Sequence, residues 1–319
     1  MKVAILGANG FIGRHVAIRL ARTGRTELAL IGRTMDYGFF AKNCPGAVCH
    51  VADLGDTASS VRLCRDADCV IHLVGDSTPR LAAASLATEF DENLTRHIAF
   101  LDGLSRAAKC HVVFLSSGGT VYGVPDRVPV SEDQPTRPIS NYGICKLAIE
   151  LFLQSRHRFG ALNCSILRLS NPYGPGQLHR RGHGLIPTLL DCAFDDREFV
   201  LIGDGSMIRD YVYIDDVAAA IEAATEFAAG TGEPINVGSG KGLPVAGVIA
   251  MFETLSGRKI RLRRDLAVTP DVPVNVLDVE KAGRVLGWSP GVDFVTGLAL
   301  TIDWYLGERG LARTRAARG

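Results

Sequence analysis

Short apolar runs alternate with amphipathic stretches along the first half of this chain, and that alternation sets the expected fold. Residues 2–6, 28–31, 47–51, 69–74, 111–115 and 163–169 read as six buried strands. Residues 12–22, 59–64, 92–107 and 142–159 carry helical spacing instead. Strands that alternate with helices predict an α/β protein, a doubly wound parallel sheet with helices on both faces. Right-handed crossovers then open a ligand crevice at the carboxyl ends of the strands. After Leu169 the texture changes. Residues 171–176 have loop composition, with two prolines and two glycines. Helices are expected at 185–194, 215–227 and 245–256, and short strands at 199–202, 211–214 and 259–263. These segments predict a second, smaller lobe that closes over the crevice. The expected division is residues 1–170 with 211–237 in the first domain, and 171–210 with 238–319 in the second.

Composition narrows the classes. The chain has 319 residues, 47% hydrophobic and 22% charged, enough for a sizeable core. A net charge of +1 gives no global reason to expect nucleic acid or an anionic membrane as partner. No stretch approaches the ~20 apolar residues of a membrane-spanning helix. Eight cysteines are scattered without Cys-x-x-Cys or zinc spacing, so no metal is expected. The expectation is a reduced, cytoplasmic protein.

Two local patterns carry chemistry. Gly7-Ala8-Asn9-Gly10-Phe11-Ile12-Gly13 follows a strand and opens a helix. Glycines there let the backbone approach a pyrophosphate, and the helix N-terminus supplies N–H donors. Tyr142 and Lys146 lie one helical turn apart, on one face. An ammonium beside a phenol favours the phenolate, which could pull a pKa of about 10 toward neutrality. Such a tyrosine is a general base for a hydroxyl whose carbon loses hydride. The end of the second strand lacks the acid that binds an adenosine ribose and instead reads Gly32-Arg33. Arg33 could pair with a 2′-phosphate, pointing to NADP, or be a solvated arginine with NAD bound through other contacts. Asp53-Leu54 is placed to contact adenine, although Asp53 could equally be a helix N-cap.

These residues resemble the extended short-chain dehydrogenase/reductase family, nearest to nucleotide-sugar epimerases of the UDP-galactose 4-epimerase kind. The resemblance rests on the glycine turn, His72-Leu73-Val74, Asn93, the run from Leu115 to Gly123, Tyr142-Gly143-Ile144-Cys145-Lys146, and the run from Arg168 to Pro175. It continues through Gly203 to Val212 and from Asp271 to Asp278. It implies a Rossmann-type domain with a smaller C-terminal substrate-binding domain. By resemblance, Tyr142 is the base and Lys146 binds the nicotinamide ribose. Gly7, Asn9, Gly10, Phe11, Ile12, Gly13, Leu73, Val74, Asn93, Ser116 and Leu169 join them around NAD or NADP. Asn171 and Arg209 hold a diphosphate, Leu185 packs on the nucleotide, and Asp271 reaches its ribose. A UDP-sugar or another nucleotide sugar is the implied substrate. The helices at 92–107 and 142–159 resemble those that pair in family dimers, so a homodimer is expected.

Departures from the family pattern matter. The catalytic Ser or Thr position is Gly118, so the hydroxyl is expected from Ser117, from Thr120 or from water. Val268 replaces a family arginine, and Ser77 replaces a frequent lysine. Dehydratases and decarboxylases of the family carry acids where this chain has Gly119 and Thr120. No carboxyl group is therefore evident for proton transfer at C5 or C6, whereas 4-epimerisation needs none. An empty Gly118-Gly119 pocket would leave room for the keto sugar to turn over. The alternatives are an NADPH-dependent carbonyl reductase and a non-catalytic NAD(P)-binding protein. His179 and His183 fall in a loop read as a substrate lid rather than a metal site.

Overall fold

The computed structural model describes residues 1–75, 86–178, 184–227, 230–265 and 272–311. Its first strands and helices are β1 (Lys2–Leu6), α1 (Phe11–Thr23), β2 (Glu27–Gly32), α2 (Tyr37–Asn43), β3 (Val48–Val51), α3 (Thr57–Cys64) and β4 (Cys69–His72). There follow α4 (Leu86–Phe90), a π-helical turn (Asp91–Thr95), α5 (Arg96–Ala107), β5 (His111–Ser117), α6 (Asn141–Arg158) and β6 (Asn163–Leu169). The remaining elements are β7 (Asn171–Tyr173), α7 (Leu185–Phe194), β8 (Glu198–Ile202), β9 (Ile208–Tyr213), α8 (Ile214–Glu226), β10 (Pro234–Val237), β11 (Gly242–Pro244), α9 (Val245–Ser256), β12 (Arg261–Asp265), β13 (Val274–Asn275), α10 (Glu280–Leu286) and α11 (Phe294–Glu308).

Seven strands form one parallel sheet in the order β10-β6-β5-β4-β1-β2-β3. Side chains of a strand alternate between faces, and both faces here are apolar. Val3, Ile5, Ile71, Val113 and Leu167 pack toward α1 and α8, against Val16, Leu20, Val217 and Ile221. Ala4, Leu6, Val70, Val112, Phe114 and Ile166 pack toward α5 and α6, against Phe100, Leu104, Ile149 and Leu153. A sheet buried on both faces needs the near-continuous apolar strands that the sequence shows. β10, which the hydrophobic pattern did not single out, extends the sheet beyond β6.

Smaller sheets follow β6. β9 lies between β11 and β13 and also pairs with β7, and β12 pairs with β8. Residues 171–173, expected as loop, pair with Tyr211–Tyr213 in parallel. Pro172 lacks only an N–H, a loss that a short strand tolerates. β9 runs across residues 210 and 211, where the expected domain boundary lies.

Two differences touch the site. β4 ends at His72 rather than at residue 74. The Leu73 N–H still bonds Leu6 O at 3.0 Å, and the chain then passes the glycine turn. The helix expected from residue 92 opens with a π-helical turn, in which the Arg96 N–H reaches Asp91 O. Such turns insert one residue into a helix and recur at functional sites.

Candidate active site

The crevice begins at the glycine turn. Gly7 has φ 84°, and the N–H groups of Gly7 and Ala8 both donate to Ile31 O, at 2.8 and 3.1 Å. A Cβ on Gly13 would lie 2.3 Å from Gly7 O and 2.7 Å from the Ala8 Cα, closer than any side chain can come. Gly13 is therefore required for α1 to start this close to β1. Arg14 donates to Asn9 Oδ1 at 2.7 Å and holds that side chain over the turn. Phe11 and Ile12, in the first turn of α1, are half-buried.

The backbone of Leu73 and Val74 runs beside the turn, since a Cβ on Gly7 would sit 3.1–3.2 Å from their atoms. Next along the chain, a Cβ on Gly75 would lie 3.6 Å from Lys146 Nζ. A continuous wall thus leads from the glycine turn to the lysine. Asn93 is buried on the π-helical turn. At the other end, Arg33 and Asp53 lie 4.0 Å apart and Leu54 is buried. Asp53 Oδ1 accepts from the Gly55 N–H at 2.7 Å. The N-cap of α3 is Asp56, not Asp53.

Tyr142 and Lys146 project from the first turns of α6. Ser140 caps this helix by accepting from the Gly143 N–H at 3.1 Å, which fixes where the turn carrying Tyr142 starts. Lys146 Nζ donates to Leu115 O at 3.0 Å, 5.8 Å from the Tyr142 ring centroid. Burial pushes the lysine pKa down to about 8, and the nearby Glu150 opposes that shift. The Tyr142 phenol is pushed up to about 12 by burial and by the charge of Glu89, while a hydrogen bond with Ser117 lowers it. The phenol therefore does not stand near neutrality here. Desolvation and the Glu89 charge outweigh the hydrogen bond from Ser117.

The two candidate hydroxyls separate clearly. Ser117 bonds to Tyr142. Thr120 Oγ1 is buried with no partner among the described residues. Gly118 donates its N–H to Leu169 O at 2.8 Å. The space beside Gly118 is not empty, because Leu277 fills it: a Cβ on Gly118 would lie 2.6 Å from Leu277 Cδ1. Asn275 Nδ2 donates to Gly118 O at 3.0 Å. Gly119 is more open, its nearest neighbour being Ser117 Oγ, 3.9 Å from a built Cβ. The expected room for a rotating sugar is thus absent at Gly118.

The sequence reading missed a buried ion pair behind the site. Glu150, two helical turns beyond Tyr142 on the same face of α6, accepts from Arg168 Nη2 at 2.7 Å and Nε at 3.1 Å. Ser116 donates to the same carboxylate, so its hydroxyl is turned toward α6. The i, i+4, i+8 spacing of Tyr142, Lys146 and Glu150 was the available signal. His72, beyond Phe114, stacks on His97 at 4.9 Å, and burial pushes their pKa values down to about 3 and about 2.

On the substrate side, Asn171 Nδ2 donates to Asp210 O at 2.9 Å, and Arg209 Nη1 donates to Ile208 O at 2.9 Å. Between them Asp210 is fully buried and accepts from Ser239, Gly240 and Leu277. That carboxylate ties β9 to the segment carrying Leu277. Leu185 opens α7 after Gly184, whose φ is 79°. Asp271, Val268, Ser77, His179 and His183 lie outside the described residues. The fold also supplies a carboxyl group that the sequence reading did not find, Glu89 of α4, a helix packed against α6, and its charge raises the Tyr142 phenol.

Comparisons with known proteins fit this arrangement. UDP-glucose 4-epimerase of Streptococcus mutans is 30% identical over 312 residues, covering 92% of this chain and 93% of that protein. The crystal structure of UDP-glucose 4-epimerase with UDP-glucose from Thermotoga maritima superposes with a TM-score of 0.88 at 27% identity, covering 97% of this chain and all of the other. UDP-glucuronic acid 4-epimerase from Bacillus cereus, in complex with UDP-glucuronic acid and NAD, also superposes with a TM-score of 0.88, at 26% identity, covering 97% and 100%. Residues 3–238 match the NAD dependent epimerase/dehydratase family. With its glycine turn, its Tyr142–Lys146 pair and this match over most of its length, the chain belongs to the NAD dependent epimerase/dehydratase family.

Proposed function

We propose that this chain is a nucleotide-sugar epimerase that inverts C4 of a UDP-hexose through a transient 4-keto sugar, with NAD held at the β1–α1 turn. The observation that carries this reading is the continuous wall from Gly7 past Leu73 and Gly75 to Lys146, ending at Tyr142. The turn suits a dinucleotide, because the cradle beside Gly7 and Gly13 has no room for a Cβ and opens on a helix N-terminus. The chemistry that a bound nicotinamide supplies is reversible acceptance of hydride. Lys146 would hold its ribose, while Asn9, Phe11 and Ile12 would line the pyrophosphate. Asp53 beside Arg33 favours NAD over NADP, since a 2′-phosphate would meet a carboxylate there.

Tyr142 takes the proton of the sugar hydroxyl and later returns it, so no acid or base is consumed. Ser117, bonded to the phenol, holds it in place and donates to the phenolate. Arg209 and Asn171 border the diphosphate, and Leu185 packs on the nucleotide. Asp271 is proposed for the nucleotide ribose. The names of the two UDP-glucose 4-epimerases support the substrate class. A homodimer through α5 and α6 is part of the proposal, supported by exposed Ile144 and Leu151 on α6. So is a reducing, cytoplasmic setting, supported by eight free cysteines. No helix among the described residues is long and apolar enough to cross a membrane.

The test is chromatography of UDP-glucose and UDP-galactose after incubation with purified protein and no added cofactor. Interconversion is expected, and Tyr142→Phe should slow it about 1,000-fold while UDP still binds. No conversion of any UDP-hexose pair, even with NAD or NADP supplied, would overturn the reading.

A further inference from the structure

Glu89 has no part in the reaction just described, yet it is buried on a helix that packs against the helix carrying Tyr142. It lies on α4, just before the π-helical turn that carries Asn93. The residue is only 8% exposed, and its Oε1 is buried with no hydrogen-bond partner among the described residues. α4 packs against α6. The carboxylate's charge is felt at two α6 side chains nearly one turn apart, the Tyr142 phenol and the Cys145 thiol. Lys146, one turn beyond the base on α6, donates to Leu115 O. A carboxylate oxygen desolvated without a donor is costly, and an incoming donor relieves that cost.

We propose that Glu89 selects the sugar. Its buried Oε1, without a partner among the described residues, accepts a hydrogen bond from a hydroxyl of the hexose seated on Tyr142, and its negative charge turns away a hexose carrying a carboxylate. The substrate class is then a neutral UDP-hexose rather than a UDP-hexuronate. The proposal rests on the epimerase reading. It is not a feature of the fold at large, since the Bacillus cereus protein on the same fold is a UDP-glucuronic acid 4-epimerase. Discrimination comes from repulsion as much as from attraction, because like charges in a partly desolvated site oppose each other strongly.

The experiment is titration calorimetry of the purified protein with UDP, UDP-glucose and UDP-glucuronate, for the wild type and Glu89→Gln. Wild type should bind UDP-glucose roughly 100-fold more tightly than UDP-glucuronate. Glu89→Gln keeps the shape and removes the charge, so the ratio should shrink to about threefold, mainly through tighter uronate binding. Equal or tighter binding of the uronate by the wild type overturns the proposal, as does a ratio unchanged in Glu89→Gln. If Glu89→Gln does not fold, the wild-type ratio decides. UDP that fails to bind the wild type at all overturns the epimerase reading and this proposal with it. UDP that binds, with no discrimination between the sugars, overturns this proposal alone.

Discussion

Gly13 and Gly118 are both glycines at the edge of one crevice, and they are glycines for different reasons. At Gly13 the obstacle is backbone from only a few residues away, Gly7 O and the Ala8 Cα. The turn itself forbids a side chain. At Gly118 the main obstacle is the Leu277 side chain, which arrives from a segment far along the chain. Asp210 accepts from the Leu277 N–H at 3.2 Å, and Asn275 binds Gly118 O, so the obstacle is held from two sides. A local glycine can be recognised from its neighbours in sequence. A glycine demanded by a distant leucine cannot. The same contrast separates the cofactor end of the crevice from the sugar end.

The largest effect that sharpens this comparison concerns the hydroxyl that Gly118 lacks. Ser117→Ala should lower turnover roughly 100-fold, because the phenolate loses its donor, whereas Thr120→Ala should leave the rate within about threefold. Steady-state epimerase assays decide. A large loss in Thr120→Ala with none in Ser117→Ala would reverse the assignment.

Gly13→Ala should come next. Its Cβ meets rigid backbone, and overpacking of that kind costs about 3 kcal/mol. Thermal unfolding should then begin some 10 °C lower, at roughly 2–4 °C per kcal/mol for a chain of this size. An unchanged melting temperature would mean that the turn can open, against the geometry described.

The third effect lies in the core between β4 and α5. His72 and His97 are held below their unfolded pKa of 6.5, at about 3 and about 2. The unfolded chain binds more protons below pH 6.5, so stability is fully present above that pH and is lost as pH falls toward the folded values. From pH 6.5 to 5 the loss for His72 is about 2 kcal/mol. Urea unfolding of the wild type and His72→Gln at both pH values checks this, and the variant should show the smaller fall.

The smallest effect tests Gly118 itself. Gly118→Ala should destabilise by about 1–2 kcal/mol, since a leucine end yields more readily than backbone. Combined with Leu277→Ala, the added cost of the alanine should nearly vanish, a coupling that a double-mutant cycle measures. Additive costs would show that Leu277 is not what keeps position 118 small.

Much of the cofactor end was legible beforehand. Strand, glycine turn and helix are contiguous, and Tyr142 and Lys146 share a helix face, so local spacing located both. The sugar end was less legible. Ser117 and Thr120 were equivalent on paper, and only packing turned one to Tyr142 and left the other without a partner. The phenol's position also depended on burial. Spacing showed the lysine that favours phenolate but not the desolvation and the Glu89 charge that oppose it. β10 and β7 escaped the pattern because short strands reveal themselves through their partners, here β6 and β9.

Taken alone, the sequence determined the parallel sheet, its glycine turn and the Tyr142–Lys146 pair, because each is written in periodicities of a few residues. The tertiary structure decided what stands beside Gly118, which hydroxyl meets Tyr142, that the charge of Glu89 reaches the phenol, and that Glu150 pairs with Arg168. Those facts rest on residues far apart in the chain, brought together by the sheet order and by the buried hydrogen bonds of Asp210. Contact at that range follows from packing, which no short window of sequence contains.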